Sequence, residues 1–455
     1  YEALVNLANF ELFIERQGNF GNFLTGDSAA AARYIECRLL PFAKRVLYNP
    51  ELTEYVDSYD GRNQEPVAFP AKIPVVLIQG VSGIAVGMRT DILPHNAIEV
   101  LDAMSASLRG EPFTLYPDFP GGGIIDVEDY DDGRGSVSVR AKLNTKDPKR
   151  IIIEELPFDV TSEMMIHSIE DAAKKGRLKI SSINDYTAEK VNIEINLARN
   201  TYAQEIVDAL YAYTRCETKL SLEPLVIKDN MPTVMGVSEI LTWHASHLTS
   251  VLKAELILER GHLLDKLHAR TLERIFIEER IYKRIETKKS AEDVVKAVYS
   301  GLKPFTEQLI RPVDDEDVER LLKIPIRRIS LFDIEKNKEE IDEINRAIAA
   351  VDAKLADLVG YALSYIDELK TMLGVKEHQR RSTIKTFELV DVKEVAERNL
   401  AVRYDTSNGY LGYGLKSGTV QVEASQFDRL LVIRRDGTYQ VIDAPEKEFV
   451  GKGML

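Results

Sequence analysis

The chain has 455 residues, 44% hydrophobic and 29% charged, with 59 basic against 73 acidic side chains and a formal net charge of −14. That length suits roughly two to four domains with real cores, and the acidic balance argues against wholesale binding of nucleic acid, so a role on DNA has to rest on local basic patches such as Arg33, Arg38, Lys44 and Arg45 against Glu36. No apolar run approaches the ~20 residues of a membrane span, no charged-then-apolar leader is expected, and the two cysteines, Cys37 and Cys216, are too far apart in sequence for a disulfide framework or a cysteine zinc site, which fits a reducing cytoplasm.

Residues 1–60 read as short helices. The run Tyr1-Glu-Ala-Leu-Val-Asn-Leu is helix-like from its first residue, and Phe449–Leu455 closes just after strand-like segments, so the chain is expected to be a segment of a longer protein. Asp27 or Ser28 would cap an alanine-rich helix running from Ala29 through Arg33 and Tyr34 to Leu40. Residues 61–240 alternate β-like runs with turns. Val75–Ile78 and Ile84–Val86 read as apolar strands broken at Gly80, Gly83 and Gly87. Ser136–Arg140 alternates with period two, Arg150–Ile153 and Val191–Ile195 read as further strands, and Pro120–Gly123 and Asp132-Gly133 as turns.

From about His247 the pattern becomes long helix. Leu252, Leu256, Leu263 and Leu267 recur with an eleven-residue repeat, the mark of a nearly straight or slightly right-handed helix. Gly301, Pro304, Pro312 and Pro325 interrupt it, implying a small helical knob over about 291–330. Helix then resumes with a heptad: Ile334, Ile341, Ile348, Leu355, Ala362 and Leu369 form one set, and Ile344, Val351, Leu358 and Tyr365 the other. Two long helices around a knob read as an antiparallel coiled-coil hairpin whose ~40-residue arms reach roughly 60 Å; an intramolecular bundle is the plainer alternative. After about residue 386 the pattern is β again, with strands at Tyr410–Gly414, Thr419–Val422 and Leu430–Arg434 and a hairpin turn at Asp436-Gly437.

Tyr34 and Arg33 have usable chemistry together. A phenol of ordinary pKa near ~10 is a fair leaving group, so a tyrosyl phosphate ester forms and reverses without large loss of bond energy. A neighbouring guanidinium can neutralise charge on the phosphoryl oxygens as the transition state develops. That suits breaking and resealing a phosphodiester better than hydrolysing it. Taken as residues alone, a helical tyrosine beside an arginine is ordinary half-buried packing, and the local sequence permits both readings.

The run Gln17-Gly-Asn-Phe-Gly21, followed by Gly26-Asp-Ser-Ala-Ala-Ala-Ala-Arg33-Tyr34-Ile-Glu-Cys-Arg-Leu39, resembles the active-site stretch of bacterial type IIA topoisomerase A subunits, the family of gyrase and topoisomerase IV. Tyr59-Asp-Gly61, Pro70–Pro74, Gly80–Met88, Leu93–Asn96 and Pro117–Gly123 resemble further segments of that family, in its order. The resemblance implies an α+β multidomain fold: a winged-helix remnant over 1–60, an α/β tower over 61–245, a coiled-coil arm over 246–385 with a dimerisation knob, and the truncated start of a β-pinwheel over 386–455. It implies that Tyr34 is the nucleophile forming a 5′-phosphotyrosyl link, that Arg33 stabilises the transition state, and that Ile84 wedges between base pairs at a cost of roughly a few kcal/mol per opened step. As a residue alone, Ile84 reads instead as a buried strand position. Lys72 and Ser82 read as phosphate contacts or, equally, as an exposed lysine and a turn serine; Arg38 belongs to the basic patch. Glu2 stands where the family carries an acidic residue near the quinolone site.

The resemblance also implies partners: double-stranded DNA, a second copy of the chain, and a B subunit in an A2B2 complex, with Mg2+ and ATP both held by the B subunit. The acidic run Asp126–Asp132 lacks the glycine spacing of a calcium loop and reads as a solvated turn. The glycines around Ser82 lack the Gly-Lys-Ser/Thr of a nucleotide loop. Glu448-Phe-Val-Gly-Lys-Gly453 lacks the basic pair of the gyrase box, which favours topoisomerase IV, a decatenating and relaxing enzyme, over gyrase. The rival from another class is a non-catalytic coiled-coil scaffold that organises DNA.

Overall fold

A computed structural model of the chain describes residues 1–325, 331–376, 378–387, 400–425 and 428–455, without the side chains of residues 331–334. It is mixed α+β, organised by one 42-residue helix and several small sheets rather than by a single continuous sheet.

Helix α1 (Glu2–Asn9) turns Val5 and Ala8, three residues apart, into the core. Strand β1 (Ile14–Gln17) pairs antiparallel with β2 (Glu36–Leu39), Ile14 opposite Leu39 and Gln17 opposite Glu36. The expected alanine-rich helix does not form: Ala32–Tyr34 make a single 3₁₀ turn, and the chain is strand from Glu36. Helix propensity is worth only tenths of a kcal/mol per residue, and here the backbone is claimed elsewhere. The Ala30 amide donates to the Asn19 carbonyl, the Asn22 amide to the Asp27 carbonyl, and residues 36–39 are held by β1.

Helix α2 (Pro41–Leu47), begun by proline, buries Phe42, Ala43 and Val46. Strands β3 (Tyr55–Asp57) and β4 (Gln64–Pro66) form an exposed hairpin. Val75–Ile78, expected as strand, lie in helix α3 (Val75–Gln79), which buries Leu77 and Ile78 and ends at Gly80 with φ 72°. Four consecutive apolar residues carry no period that separates buried helix from buried strand. Strands β5 (Val81–Ala85) and β6 (Met88–Ile92) make a two-stranded hairpin turned by Val86-Gly87. Asn96 caps helix α4 (Ala97–Arg109), its side chain accepting from the Ile98 and Glu99 amides.

Strands β7 (Ile124–Asp126), β8 (Ser136–Arg140), β9 (Lys142–Asn144) and β10 (Arg150–Glu155), helix α5 (Ser162–Lys174), strands β11 (Ile180–Asp185) and β12 (Ile193–Leu197), helix α6 (Ala203–Tyr213) and strand β13 (Glu217–Ser221) follow. One four-stranded sheet has the order β11-β12-β10-β9. Its residues Ile151, Ile153, Ile193 and Ile195 pack with Met165 and Ile169 of α5 and Ile206 and Leu210 of α6 in one core. Strands β14 (Leu225–Lys228) and β15 (Met231–Val234) form another hairpin.

Helix α7 (Val237–Glu278) starts ten residues before the expected His247, where the Glu239 carboxylate accepts from the Gly236 amide at 2.8 Å. Short helices α8 (Ile281–Ile285), α9 (Ala291–Leu302) and α10 (Asp315–Leu322) close a small core with the end of α7, including Phe276, Ile281, Val298 and Leu321. Residues 326–330, the end of the expected knob, lie outside the described residues. Helix α11 (Leu331–Ala356) runs back antiparallel to α7, tied by Arg260–Asp352 at 2.6 Å and Arg270–Glu340 and Lys338–Glu278 at 2.7 Å.

Along the expected heptad, Ile341, Ile344, Val351, Ala362, Tyr365 and Leu369 are buried, and the side chain of Ile334 lies outside the described residues. The seam is not one continuous helix. Asp357 breaks it at φ −129° and ψ 74°, its carboxylate accepting from the Gly360 amide, and helix α12 (Leu358–Leu373) turns into the main core beside α2, α4 and α7.

The returning chain is stitched to that core. Arg380 forks onto Glu99 with bonds of 2.7 and 2.5 Å, the Asp118 carboxylate accepts from the Arg381 and Ser382 amides, and β16 (Thr383–Ile384) adds parallel to β7. Residues 388–399, the start of the expected β region, lie outside the described residues. Beyond them β17 (Leu400–Asp405), β18 (Tyr410–Gly412), β19 (Thr419–Ala424) and β22 (Glu448–Phe449) form a sheet of order β19-β17-β18-β22. Strands β20 (Arg429–Ile433) and β21 (Tyr439–Asp443) form a hairpin whose Asp436-Gly437 turn has Gly437 at φ 82°. Among the described residues no helix is long and apolar enough to cross a membrane.

Candidate functional site

Tyr34 ends the 3₁₀ turn just before β2 and is 66% exposed. Its hydroxyl has no hydrogen-bond partner among the described residues, and the Arg33 guanidinium carbon stands 4.6 Å from the ring centroid. The turn can sit so close to the preceding loop because residue 18 is glycine at φ +102°: a Cβ there would come within 2.9 Å of the Tyr34 carbonyl oxygen. The Tyr1 hydroxyl donates to the Ala30 carbonyl. That bond holds the first turn of α1, with its exposed Glu2, against the alanine segment that leads to Tyr34. Arg38 is exposed on β2 and forks onto Glu15 of β1 at 2.6 and 2.9 Å; this bond lowers the Glu15 carboxyl and raises the guanidinium.

The hairpin β5–β6 presents its apolar residues outward. Ile84 is 87% and Val86 100% exposed, and Ser82 two residues earlier is exposed as well. The reading of Ile84 as a buried strand residue is therefore wrong: a two-stranded ribbon has no second layer on this face, and nothing among the described residues packs over it. Opposite Ile84 stands Arg89 and opposite Ser82 stands Asp91. No hydrogen bond or ion pair among the described residues links this hairpin to Tyr34.

Lys72 corrects the sequence reading. It is 3% exposed, its ammonium lies 2.6 Å from Glu255 of α7 and donates to the Arg45 carbonyl at 3.0 Å, and it faces the Tyr365 ring. A lysine so enclosed and neutralised is a tie between α2, α7 and α12, and its 3% exposure keeps it from a phosphate at the surface. The acidic run is also structural in part. Asp126 accepts from the Phe387 amide at 2.6 Å, and Asp132 from the Ser238 amide and hydroxyl at 3.0 and 2.8 Å. Among the described residues no group of three or more His, Cys, Asp or Glu side chains could hold a metal ion. Sequence reasoning missed Val86 and Arg89; the turn glycine Gly87 with period-two counting on either side was the signal that could have found them.

The structure thus combines small sheets around a long helical arm with an exposed phenol beside a guanidinium. A sequence model of the DNA gyrase/topoisomerase IV A subunit matches residues 1–369. The chain is 48% identical over 452 residues to the A subunit of DNA topoisomerase 4 from Borreliella burgdorferi, which covers 99% of the chain and 72% of that protein. It is 30% identical to the DNA gyrase A subunit of Metamycoplasma arthritidis over 87% of the chain and 47% of that protein. With the DNA gyrase A subunit of Clostridium acetobutylicum the identity is 28%, over 90% of the chain and 52% of that protein. The chain belongs to the A-subunit family of DNA gyrase and topoisomerase IV, and so to the type II DNA topoisomerases. It spans about half the length of these gyrase relatives.

Proposed function

We propose that this chain is the DNA-cleaving and religating part of a topoisomerase IV type A subunit, with Tyr34 as nucleophile. The observation that carries this reading is the exposed, unpartnered Tyr34 hydroxyl with the Arg33 guanidinium against its ring. The phenol oxygen, giving up its proton, attacks a backbone phosphorus; the P–O3′ bond breaks, leaving a 5′-phosphotyrosyl ester and a free 3′-hydroxyl. Arg33 moves onto the phosphoryl oxygens as negative charge gathers there. The reverse attack by the 3′-hydroxyl reseals the strand and restores the phenol. Two copies cut the two strands of one duplex, a second duplex passes, and the break closes.

On this reading residues 1–60 are the remnant of a winged helix, 61–245 a tower, 246–385 the arm with its dimerisation knob, and 386–455 the start of a β-pinwheel. Glu2 would border an inhibitor site, Ser82 and Arg38 would meet phosphates, and Ile84 would open a base step from the hairpin. The family resemblance would place Mg2+ and ATP on the B subunit of an A2B2 complex, where Mg2+ would supply charge neutralisation at the phosphate. The expected location is the nucleoid in the cytoplasm. Topoisomerase IV is favoured over gyrase by the 48% identity to the former against 30% and 28% to the latter.

The test is a denaturant-resistant adduct assay on the full-length protein with its B subunit, Mg2+ and a cleavage-trapping inhibitor. Tyr34→Phe should bind DNA as before and form no covalent adduct, a loss of at least about a thousandfold. Adducts formed by that variant would remove Tyr34 from its role, and no adduct from the parent protein would favour the DNA-organising scaffold. Supercoiling of relaxed DNA with ATP would make the holoenzyme a gyrase.

A further inference from the structure

The hairpin that exposes Ile84 carries a second residue on the same face. Antiparallel pairing sets Arg89 directly opposite Ile84, and directly opposed side chains have Cβ atoms about 5 Å apart on one side of the ribbon. The Arg89 side chain is 43% exposed. Its Nε donates to Asp91 Oδ2 at 2.6 Å and its Nη2 to the Ser221 carbonyl at 2.8 Å, at the end of β13. Nη1 has no partner among the described residues. Two acceptors thus hold the guanidinium plane in place while its third nitrogen stays available.

We propose that Arg89 is a DNA-contacting specificity residue that acts beside the Ile84 wedge, its Nη1 bonding acceptors on the minor-groove edge of the base step that Ile84 opens. The inference rests on the reading of Ile84 as a wedge given above. Apolar wedges enter between base steps from the minor groove, and proteins that use them read that groove with arginine, lysine and amide side chains. Adenine N3 and thymine O2 offer acceptors there, whereas guanine adds an amino donor that a guanidinium cannot pair with. Arg89 therefore favours A·T pairs flanking the opened step. Because Asp91 already neutralises part of its charge, Arg89 contributes direction more than bulk attraction. Being held before DNA arrives, it loses little freedom on binding.

The experiment uses the full-length protein together with its B subunit. It measures three things: the base composition around trapped cleavage sites by sequencing, DNA bending by end-labelled fluorescence transfer, and the salt dependence of DNA binding. Ile84→Ala, Arg89→Ala and Arg89→Lys are compared with the parent. Expected for Arg89→Ala are loss of the A·T bias beside the wedge and about tenfold weaker binding at preferred sites, with a change in the slope of log affinity against log salt well below the ~0.9 that a lost phosphate contact gives. Arg89→Lys should keep the slope and lose the bias, since an ammonium lacks the fork that Asp91 and Ser221 hold; it serves the same purpose if the alanine variant fails to fold. If Ile84→Ala abolishes bending while both Arg89 variants keep the parent bias and affinity, or Arg89→Ala loses a full phosphate's salt slope with the bias intact, the role of Arg89 is overturned and the wedge stands. If Ile84→Ala bends DNA normally, the wedge reading fails and takes the Arg89 inference with it.

Discussion

In the sheet ordered β11-β12-β10-β9, Ile151, Ile153, Ile193 and Ile195 are fully buried, whereas the hairpin β5–β6 leaves Ile84 87% and Val86 100% exposed. Both regions alternate side chains with the same two-residue period. What separates them is a covering layer: α5 and α6 pack on the first, while among the described residues nothing covers Ile84 and Val86 on the second. An isoleucine in the sheet earns its place by burial, and one on the hairpin stabilises little, which suits the wedge role proposed for it. The arm shows the mirror case. Asn337, seven residues before Ile344 and so on the same seam, is 8% exposed, and its Oδ1 has no partner among the described residues. Arg274 of α7 has an Nε without a hydrogen bond, 3.9 Å from Glu278 Oε2, and the neighbouring pairs Arg270–Glu340 and Glu278–Lys338 place the two residues at the same level of the arm.

The contrast can be broken most forcibly in the sheet. Ile153→Ala should cost about 4 kcal/mol of unfolding free energy, and Ile84→Ala no more than about 0.5 kcal/mol; equal losses by denaturant melts would mean that the hairpin packs on something in the free protein. Acid should probe burial next. His95 is fully enclosed, Nδ1 donating to the Leu77 carbonyl and Nε2 accepting from the Tyr130 hydroxyl; burial, the largest cause, lowers its pKa from 6.5 to about 4. The unfolded chain therefore binds the proton first, and stability should fall by about 3 kcal/mol as pH drops from about 6.5 to about 4. His244, lowered to about 4 by burial, acts in the same window and the same direction, so the slope should lessen by roughly half in His95→Asn, measured by melts at several pH values.

Among cations, the enclosed Lys72 and the open Arg38 give a third comparison. Lys72→Met should cost roughly 2 kcal/mol, less than a fully buried pair would, because the Glu255 it abandons retains 22% exposure. Arg38→Ala should leave the melting temperature unchanged and weaken DNA binding instead. The smallest effect is expected at the arm: Asn337→Leu should add about 1 kcal/mol to stability while relaxing helix register. Cysteine cross-linking between α7 and α11 would then trap shifted pairs that the parent does not form.

The heptad of the arm, the strands Ser136–Arg140 and Arg150–Ile153 and the Asp436-Gly437 hairpin were legible in the residues, because periodicity and turn chemistry are local properties, whereas the candidate Tyr34–Arg33 pair was legible only through the family resemblance. The strand expected at Val75–Ile78, the helix expected from Ala29 and the unbroken heptad across Asp357 were not, because each was settled by distant partners: His95 against Leu77, Asn19 and β1 against the alanine segment, and the core that receives α12. Lys72, read as exposed, is buried, and Ile84, buried when read as a residue alone, is exposed for the same reason. Whether a side chain meets water depends on which other element covers it. Sequence spacing assigns a residue to a face, and only the packing of one element on another decides whether that face is closed.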